Sequence, residues 1–519
     1  MNAAFEDRFL IGSSPLRRAG VVLMLVTLLS RTFGYLREAV IAAAFGASRE
    51  VDIYLTAITI PAVIMTTVYY SIPNAFIPLW GRSDRHSVSL RRSIIIIVVL
   101  AAALALLVDS AARPLMALLA GGYSPEAGQR ATELLRVSAW IVFFAVIEAL
   151  LRSRLLALKR FGLPTLSYVW QGIGVIVAVI GWPQQGARAM VWGLLVGTAA
   201  SALWDAILLL SIPATHPAMP DSAPPVRDSP SRVWTWIVLI FLTDSLSQVY
   251  VVVDRLLGSY LDSGAIAALN YASLVVGVST AIIATTLSTA IFPFLSDAHV
   301  EQNQRRTFEI IDRAVTWSII LAIPTAVWTL AFSGPITSVL FERGAFNTEA
   351  RRLTSHVLAA YSLSVMPIAL AAVWARLFYA ARRWKPILAS SLVSLAVKCG
   401  CAVWWVSKWG IVGLALSGVA APTAAAAFMG WHERGTLREG VRRWAGLACK
   451  VLLLVCLPAI PCAWLVSRVP ETDFLSPVLL TLGGVLAGVA LLVGAGRRWG
   501  IAEMQSILDL LVRRRRSET

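Results

Sequence analysis

The sequence predicts an all-α membrane protein of about 14 transmembrane helices. It is read as two six-helix lobes related by a pseudo-two-fold repeat, plus two extra C-terminal helices. Three observations predict this. Apolar runs of about 20 residues, each long enough to span a bilayer, recur along the whole chain. Arginine and lysine gather in alternate short loops between those runs. Collinear matches link the two halves of the chain. The composition agrees: 58% of the 519 residues are hydrophobic and 14% charged, against about 25% charged in an average soluble domain.

In chain order the apolar spans lie near 19–45, 51–79, 93–119, 132–156, 162–182, 187–211, 233–259, 264–295, 309–331, 354–380, 386–407, 410–431, 444–467 and 475–496. Met1 to Ser14 holds no apolar core, so no cleavable signal peptide is expected. The Arg-rich loops are those holding Arg17 and Arg18; Arg82, Arg85, Arg91 and Arg92; Arg152, Arg154, Lys159 and Arg160; Arg305 and Arg306; Arg382, Arg383 and Lys385; Arg434, Arg438, Arg442 and Arg443. The tail Arg513 to Arg516 continues the series. The alternate loops hold Arg49, Arg188, Lys408 and Arg468 singly, and the loop near Arg343, Arg351 and Arg352 departs from the pattern. An even number of spans with both termini cytoplasmic fits this asymmetry.

Pro213 to Pro230 is rich in Pro, Ser and Asp and reads as a cytoplasmic linker. It divides the chain into a six-helix lobe at 1–211, the linker at 212–232, a second lobe at 233–431, two added spans at 432–497 and a basic tail at 498–519. The lobes match each other. Ala75-Phe76-Ile77-Pro78 corresponds to Ala290-Ile291-Phe292-Pro293, and Pro114-Leu115-Met116 to Pro335-Ile336-Thr337. Gly122-Tyr123-Ser124 corresponds to Ala345-Phe346-Asn347, Arg154 to Arg376, and Gly193-Leu194 to Gly413-Leu414. The offsets all lie between about 215 and 223 residues, which argues for an internal repeat. An even number of spans per copy gives both copies one orientation, a common transporter plan.

The net charge of +16 does not indicate nucleic acid, because the arginines sit in short loops where they orient helices. Of the five cysteines, Cys399, Cys401, Cys456 and Cys462 lie in apolar segments. With no CxxC and no histidine beside them, neither a metal nor a redox role is expected. There is no Walker A sequence, no nucleophile elbow and no metal-ligand cluster. The chain is therefore read as no enzyme, with no cofactor. Energy for transport would come from an ion gradient, and so a coupling ion, from the membrane potential or from the substrate's own gradient.

Ionisable residues inside spans are costly and so become candidates for function. The first span holds Arg31, Arg37 and Glu38, with Arg31 and Glu38 on one face two turns apart. The seventh holds Asp244, Asp254 and Arg255, and the repeat overlays Glu38 on Asp254. Either these are buried pairs that fix packing, or they line a cavity at the interface of the halves. Asp109, Glu148, Asp205, Lys398 and Lys450 are single charges, with Glu148 one turn from Arg152. Trp80, Trp182, Trp409 and Trp431 close spans as an interfacial belt. Pro61, Pro73, Pro78 and Pro293 are expected to break their helices and serve as hinges.

Ser30-Arg31-Thr32-Phe33-Gly34-Tyr35-Leu36-Arg37-Glu38, then Phe45-Gly46-Ala47 and Asp52, resembles the opening of the MurJ/MviN lipid II flippases. Ala75-Phe76-Ile77-Pro78, Leu340-Phe341-Glu342-Arg343-Gly344-Ala345-Phe346 and Arg376-Leu377-Phe378-Tyr379-Ala380 followed by Pro386 are similar to the same family. The resemblance covers nearly the whole chain. It implies a MOP-type flippase fold, with two lobes around a central cavity and a groove between spans 13 and 14 for the lipid tail. It implies that Arg31, Arg37, Glu38 and Asp52 bind substrate, and the repeat adds Asp254 with its neighbour Arg255 to that set. Two departures stand out: Met65 to Ser71 replaces the family's arginine-bearing run, and Ser273 stands where the family has an arginine. Arg255 is expected to take over from that missing arginine.

The implied substrate is a polyprenyl-pyrophosphate saccharide, either lipid II or an exopolysaccharide repeat unit, carried to the periplasmic face by alternating access. Membrane lipids are the other partners, nucleic acid is not one, and a monomer is expected. The alternatives are a drug or cation antiporter of the same superfamily fold and a non-transporting scaffold.

Overall fold

The computed structural model describes residues 14–80, 87–158, 160, 162–212, 246, 248–381, 383–469 and 475–498. The linker Pro213 to Pro230, Asp244, the loop arginines Arg82, Arg85 and Arg382, and the Arg-rich tail lie outside them. All regular structure among the described residues is helical. Among the described residues, nine helices are long and apolar enough to cross a membrane, and ten if one bent pair is a single span. The fold class is the predicted one, an all-α membrane protein. The chain divides into two compact units, Met1–Ile266 with Arg343–Phe346, and Ala267–Glu342 with Asn347–Thr519.

Unit 1 begins with α1 (Ser14–Phe45), α2 (Arg49–Ala57) and α3 (Thr59–Trp80). Then come α4 (Ser87–Ser110), the short α5 (Ala112–Leu119) and the long α6 (Pro125–Ala157). α7 (Gly162–Thr165), α8 (Ser167–Gly181) and α9 (Ala187–Leu210) follow, and a further helical run covers 248–258. α6 lies at the centre, against α3, α4 and α9. Its start is built by sequence: the Ser124 hydroxyl caps the Ala127 amide at 3.4 Å, and Pro125 takes the first position, where no amide is needed. α4 shows the opposite character. Ile95, Val99, Leu106 and Leu107 are all more than half exposed, an apolar surface suited to hydrocarbon and not to water.

α2 and α3 meet at a bend of 48°. Pro61 has no amide to give the Ala57 carbonyl four residues earlier. The Ser138 hydroxyl of α6 donates to that carbonyl instead, at 3.0 Å. The expected breaks at Pro73 and Pro78 do not occur, since α3 runs through both. Nor does Pro293 break α11 (Thr286–Val300), which contains it. The irregularity there is a π-helical turn at Ala281–Thr285, between α10 (Ala265–Thr280) and α11. Proline inside a packed transmembrane helix is held in line by its neighbours.

α8 and α9 cross with their backbones in contact. A Cβ on Gly174 would stand 2.3 Å from the Gly193 carbonyl oxygen, and one on Gly197 2.7 Å from the Trp170 carbonyl oxygen. Gly193 and Gly197 form a small-xxx-small stripe, the means by which apolar helices approach when no water drives them together.

Unit 2 holds α12 (Gln304–Ala331), α13 (Ser333–Phe341), α14 (Thr348–Ser362), α15 (Val365–Ala380), α16 (Lys385–His432), α17 (Arg434–Val466) and α18 (Leu475–Arg498). α16 is two helices in one run, broken at Gly410 with φ 55° and ψ −131°, as the separate spans at 386–407 and 410–431 require. Two helix starts in the two units are capped alike. Asn347 caps Ala350 at 2.9 Å, as Ser124 caps Ala127, each after a short helix. α17 is fastened to α12: Arg443 pairs with Asp312, and the Trp444 indole donates to the same carboxylate at 2.8 Å.

Candidate functional site

On α1, Arg31 is exposed, and no carboxylate lies within ion-pair distance of it among the described residues. Arg37 is half-buried and grips its neighbour Glu38 through two hydrogen bonds, at 2.6 and 3.0 Å. Glu38 is 4% exposed. One exposed cation and one compensated pair thus lie along a single apolar helix.

Asp52 is fully buried on α2, and its carboxylate accepts the Gly264 amide at 2.7 Å, with Arg49 3.7 Å away. Gly264 has φ +86°, and a Cβ there would lie 2.2 Å from the Ala47 carbonyl oxygen. Both the conformation and the space therefore demand glycine. Two C-terminal carbonyls of α1 find donors, one local and one distant in sequence: Gly46 donates to Ala42 and Ala345 to Ala43, each at 2.7 Å. Arg49 stacks over Tyr123, whose hydroxyl meets Thr56 at 2.8 Å. Asp254 is half-buried. Arg255 is buried and donates to the Ile266 carbonyl at 3.2 Å. Ser273 is exposed, its hydroxyl spent on the Asn270 carbonyl.

Sequence reasoning treated Glu148 and Asp205 as single charges, and the structure brings them together. Arg152 pairs with Glu148 on its own helix and stands 3.8 Å from Asp205 of α9. The Tyr69 hydroxyl of α3 donates to Glu148 at 2.5 Å, and the Gln171 amide donates to Tyr69 at 2.8 Å. Ser167 joins both Glu148 and Arg152. The Arg152 guanidinium lies 3.8 Å over the Tyr168 ring. Four helices thus meet on one buried guanidinium. Only the spacing of four between Glu148 and Arg152 was visible in advance.

In unit 2, Lys398 is 1% exposed and donates to the Ser417 hydroxyl at 3.0 Å. A groove of ≈ 1430 Å³ runs between α15, α16 and α17, with Met366, Leu370, Trp374, Ala426 and Trp444 among its apolar lining and Arg434 and Arg442 among its charged one.

Helical throughout its described residues, with lipid-facing apolar helices, a broken span and charged side chains held inside the bundle, the chain has the build of a multi-pass membrane protein. The chain belongs to the lipid II flippase MurJ family, whose model matches residues 41–482, so this is a bacterial inner-membrane protein. It is 27% identical to the lipid II flippase MurJ of Burkholderia cenocepacia over 428 residues, covering 79% of this chain and 82% of that one. It is 24% identical to the probable lipid II flippase MurJ of Rhizobium meliloti over 492 residues, covering 89% of each. Its fold is similar to that of a solved lipid II flippase MurJ in an inward closed conformation, with a TM-score of 0.76 and 20% identity over 92% of this chain and 99% of that one. A multidrug resistance MATE family transporter of the MOP superfamily is more distant, at a TM-score of 0.56 and 15% identity over 82% of this chain and 98% of that one.

Proposed function

We propose that this protein flips a polyprenyl-pyrophosphate-linked saccharide from the cytoplasmic to the periplasmic face of the inner membrane by alternating access, with both termini cytoplasmic. Arg31 and Arg37 take the pyrophosphate, and Glu38, Asp52, Asp254 and Arg255 complete the proposed set. The observation that carries the reading is Arg31, an exposed guanidinium on an apolar helix with no described carboxylate to neutralise it. Arg37 lies six residues on, about 9 Å along the axis, a gap two long side chains can close on one diphosphate. The apolar groove of unit 2 suits a prenyl or acyl chain. The two lobes at 1–211 and 233–431, the added spans and a monomeric state belong to the same proposal.

The test is flipping of a fluorescent lipid II by purified protein in proteoliposomes. Arg31→Ala with Arg37→Ala should abolish it at unchanged protein level, and the lysine pair should restore little. Full flux in the alanine pair would refute the reading.

A second reading concerns the head group. Ser273 supplies no cation at the position where the resemblance expects an arginine, which favours an exopolysaccharide repeat unit over lipid II. Parallel assays with both lipids decide it. Export of a cationic drug with neither lipid moved would instead make the chain an antiporter.

A further inference from the structure

We propose that Asp205, with Arg152 as its movable counter-ion, is a proton-binding site inside unit 1. The cluster holds two carboxylates and one guanidinium, so with all three ionised it carries one net negative charge in an apolar bundle. The partners are unevenly shared. Glu148 receives Arg152, Tyr69, Ser167 and Gln171. Both oxygens of Asp205 are buried without a hydrogen-bond donor, and so are two of the guanidinium nitrogens, Nε and Nη1. Asp205 is 0% exposed. A bare carboxylate in such a place is expensive, and a single proton removes the charge.

The site also has a switch. The Arg152 guanidinium is bonded to Glu148 and lies 3.8 Å from Asp205, with unused donors beside an unused acceptor. Turning toward Asp205 would satisfy both and expel the proton as Asp205–COOH → Asp205–COO⁻ + H⁺, the proton passing to water. That water is near: Asp205 and Arg152 each lie five residues from the end of their helix, Leu210 and Ala157, about 7.5 Å of rise. Loop charge puts this end on the cytoplasmic side.

The groups facing Asp205 are few. α6 brings Glu148 and Arg152, α8 brings Tyr168, and Tyr69 of α3 reaches it only through Glu148. α7 carries no titratable group. On α2, Glu50 binds the Ala187 amide at the far end of α9, eighteen residues from Asp205, and Asp52 is engaged by the Gly264 amide.

The experiment is infrared spectroscopy of the full-length protein in lipid, titrated with pH and without substrate. A protonated-carboxyl band should grow as pH falls, vanish in Asp205→Asn and shift in Asp205→Glu. Glu148→Gln should leave the band present. In proteoliposomes, Asp205→Asn should lose the response of flux to an imposed pH gradient and keep the response to voltage. The flux arm rests on the lipid-flipping reading and the infrared arm does not, so an intact band with no lipid moved would support the proton site alone. Asp205→Glu, which keeps the acid, carries the infrared test if the asparagine variant aggregates. A band that survives in Asp205→Asn, or no protonated carboxyl at any pH, would overturn the proposal.

Discussion

Replacing Gly174 by alanine should unseat α9 from α8. The new methyl would stand 2.3 Å from the Gly193 carbonyl oxygen and 2.8 Å from the Gly197 Cα. Ordinary contact begins at 3.4 Å, so the crossing must open by about 1.1 Å. What stands in the way is backbone, which cannot rotate aside as a side chain would. Overpacking of this kind costs about 1–3 kcal/mol. The opening also strains the 2.7 Å bond from the Ser201 hydroxyl to the Ser167 carbonyl, whose loss adds about 1 kcal/mol. A total near 3 kcal/mol corresponds to a fall of about 6–12 °C in melting midpoint for a unit of this size. Fluorescence size-exclusion chromatography of heated, detergent-solubilised protein measures it. Gly181→Ala, where nothing lies within 4 Å of the added carbon, is the control and should melt like the parent. If Gly174→Ala also melts like the parent, the contact between the two backbones is not what holds these helices.

Four further outcomes are expected. Ser138→Ala leaves the Ala57 carbonyl without its donor and should cost about 1–3 kcal/mol; the same melting assay checks it, and an unchanged midpoint would count against the account of the bend. Gly264→Ala cannot keep the φ of +86° without strain, so it should displace the amide that Asp52 accepts and lower both yield and flux; normal flux would show that the turn tolerates a side chain. Arg255→Ser should abolish flux, and adding Ser273→Arg should restore part of it; no rescue would reduce Arg255 to its bond with the Ile266 carbonyl. A loaded carrier bearing one net negative charge gains about 2.3 kcal/mol per 100 mV on export, about fiftyfold in rate at most, so flux in proteoliposomes should fall when the potential is dissipated, and flux indifferent to potential would exclude charge movement.

What could be read in the chain itself was what depends on short spacing or on composition. The helices follow from apolar runs, and Ser124 and Asn347, at positions the sequence matches to each other, each cap a helix start. The Glu148–Arg152 pair needed only one helical turn. Asp205 could not be placed beside them, because that contact depends on how α6 and α9 pack, and nothing in a lone aspartate encodes a neighbour 53 positions away. The bond from the Gly264 amide to Asp52 spans 212 positions and has no local signature. The breaks expected at Pro73, Pro78 and Pro293 are absent for a different reason. Each proline removes a hydrogen bond wherever it sits, but whether the helix yields depends on what lies alongside, and α3 lies along α6.

The Ser138 hydroxyl that completes the Ala57 carbonyl has a consequence for biogenesis. α2 and α3 leave the ribosome well before α6, and a carbonyl without a donor is costly in hydrocarbon. Until Ser138 arrives, the bent pair has no finished form in the lipid, so the early spans must wait near water or in the insertion machinery, or stay unbent. The shape of the second span is therefore set by the fourth, and a nascent chain halted before Ser138 should be a preferred substrate for membrane quality control.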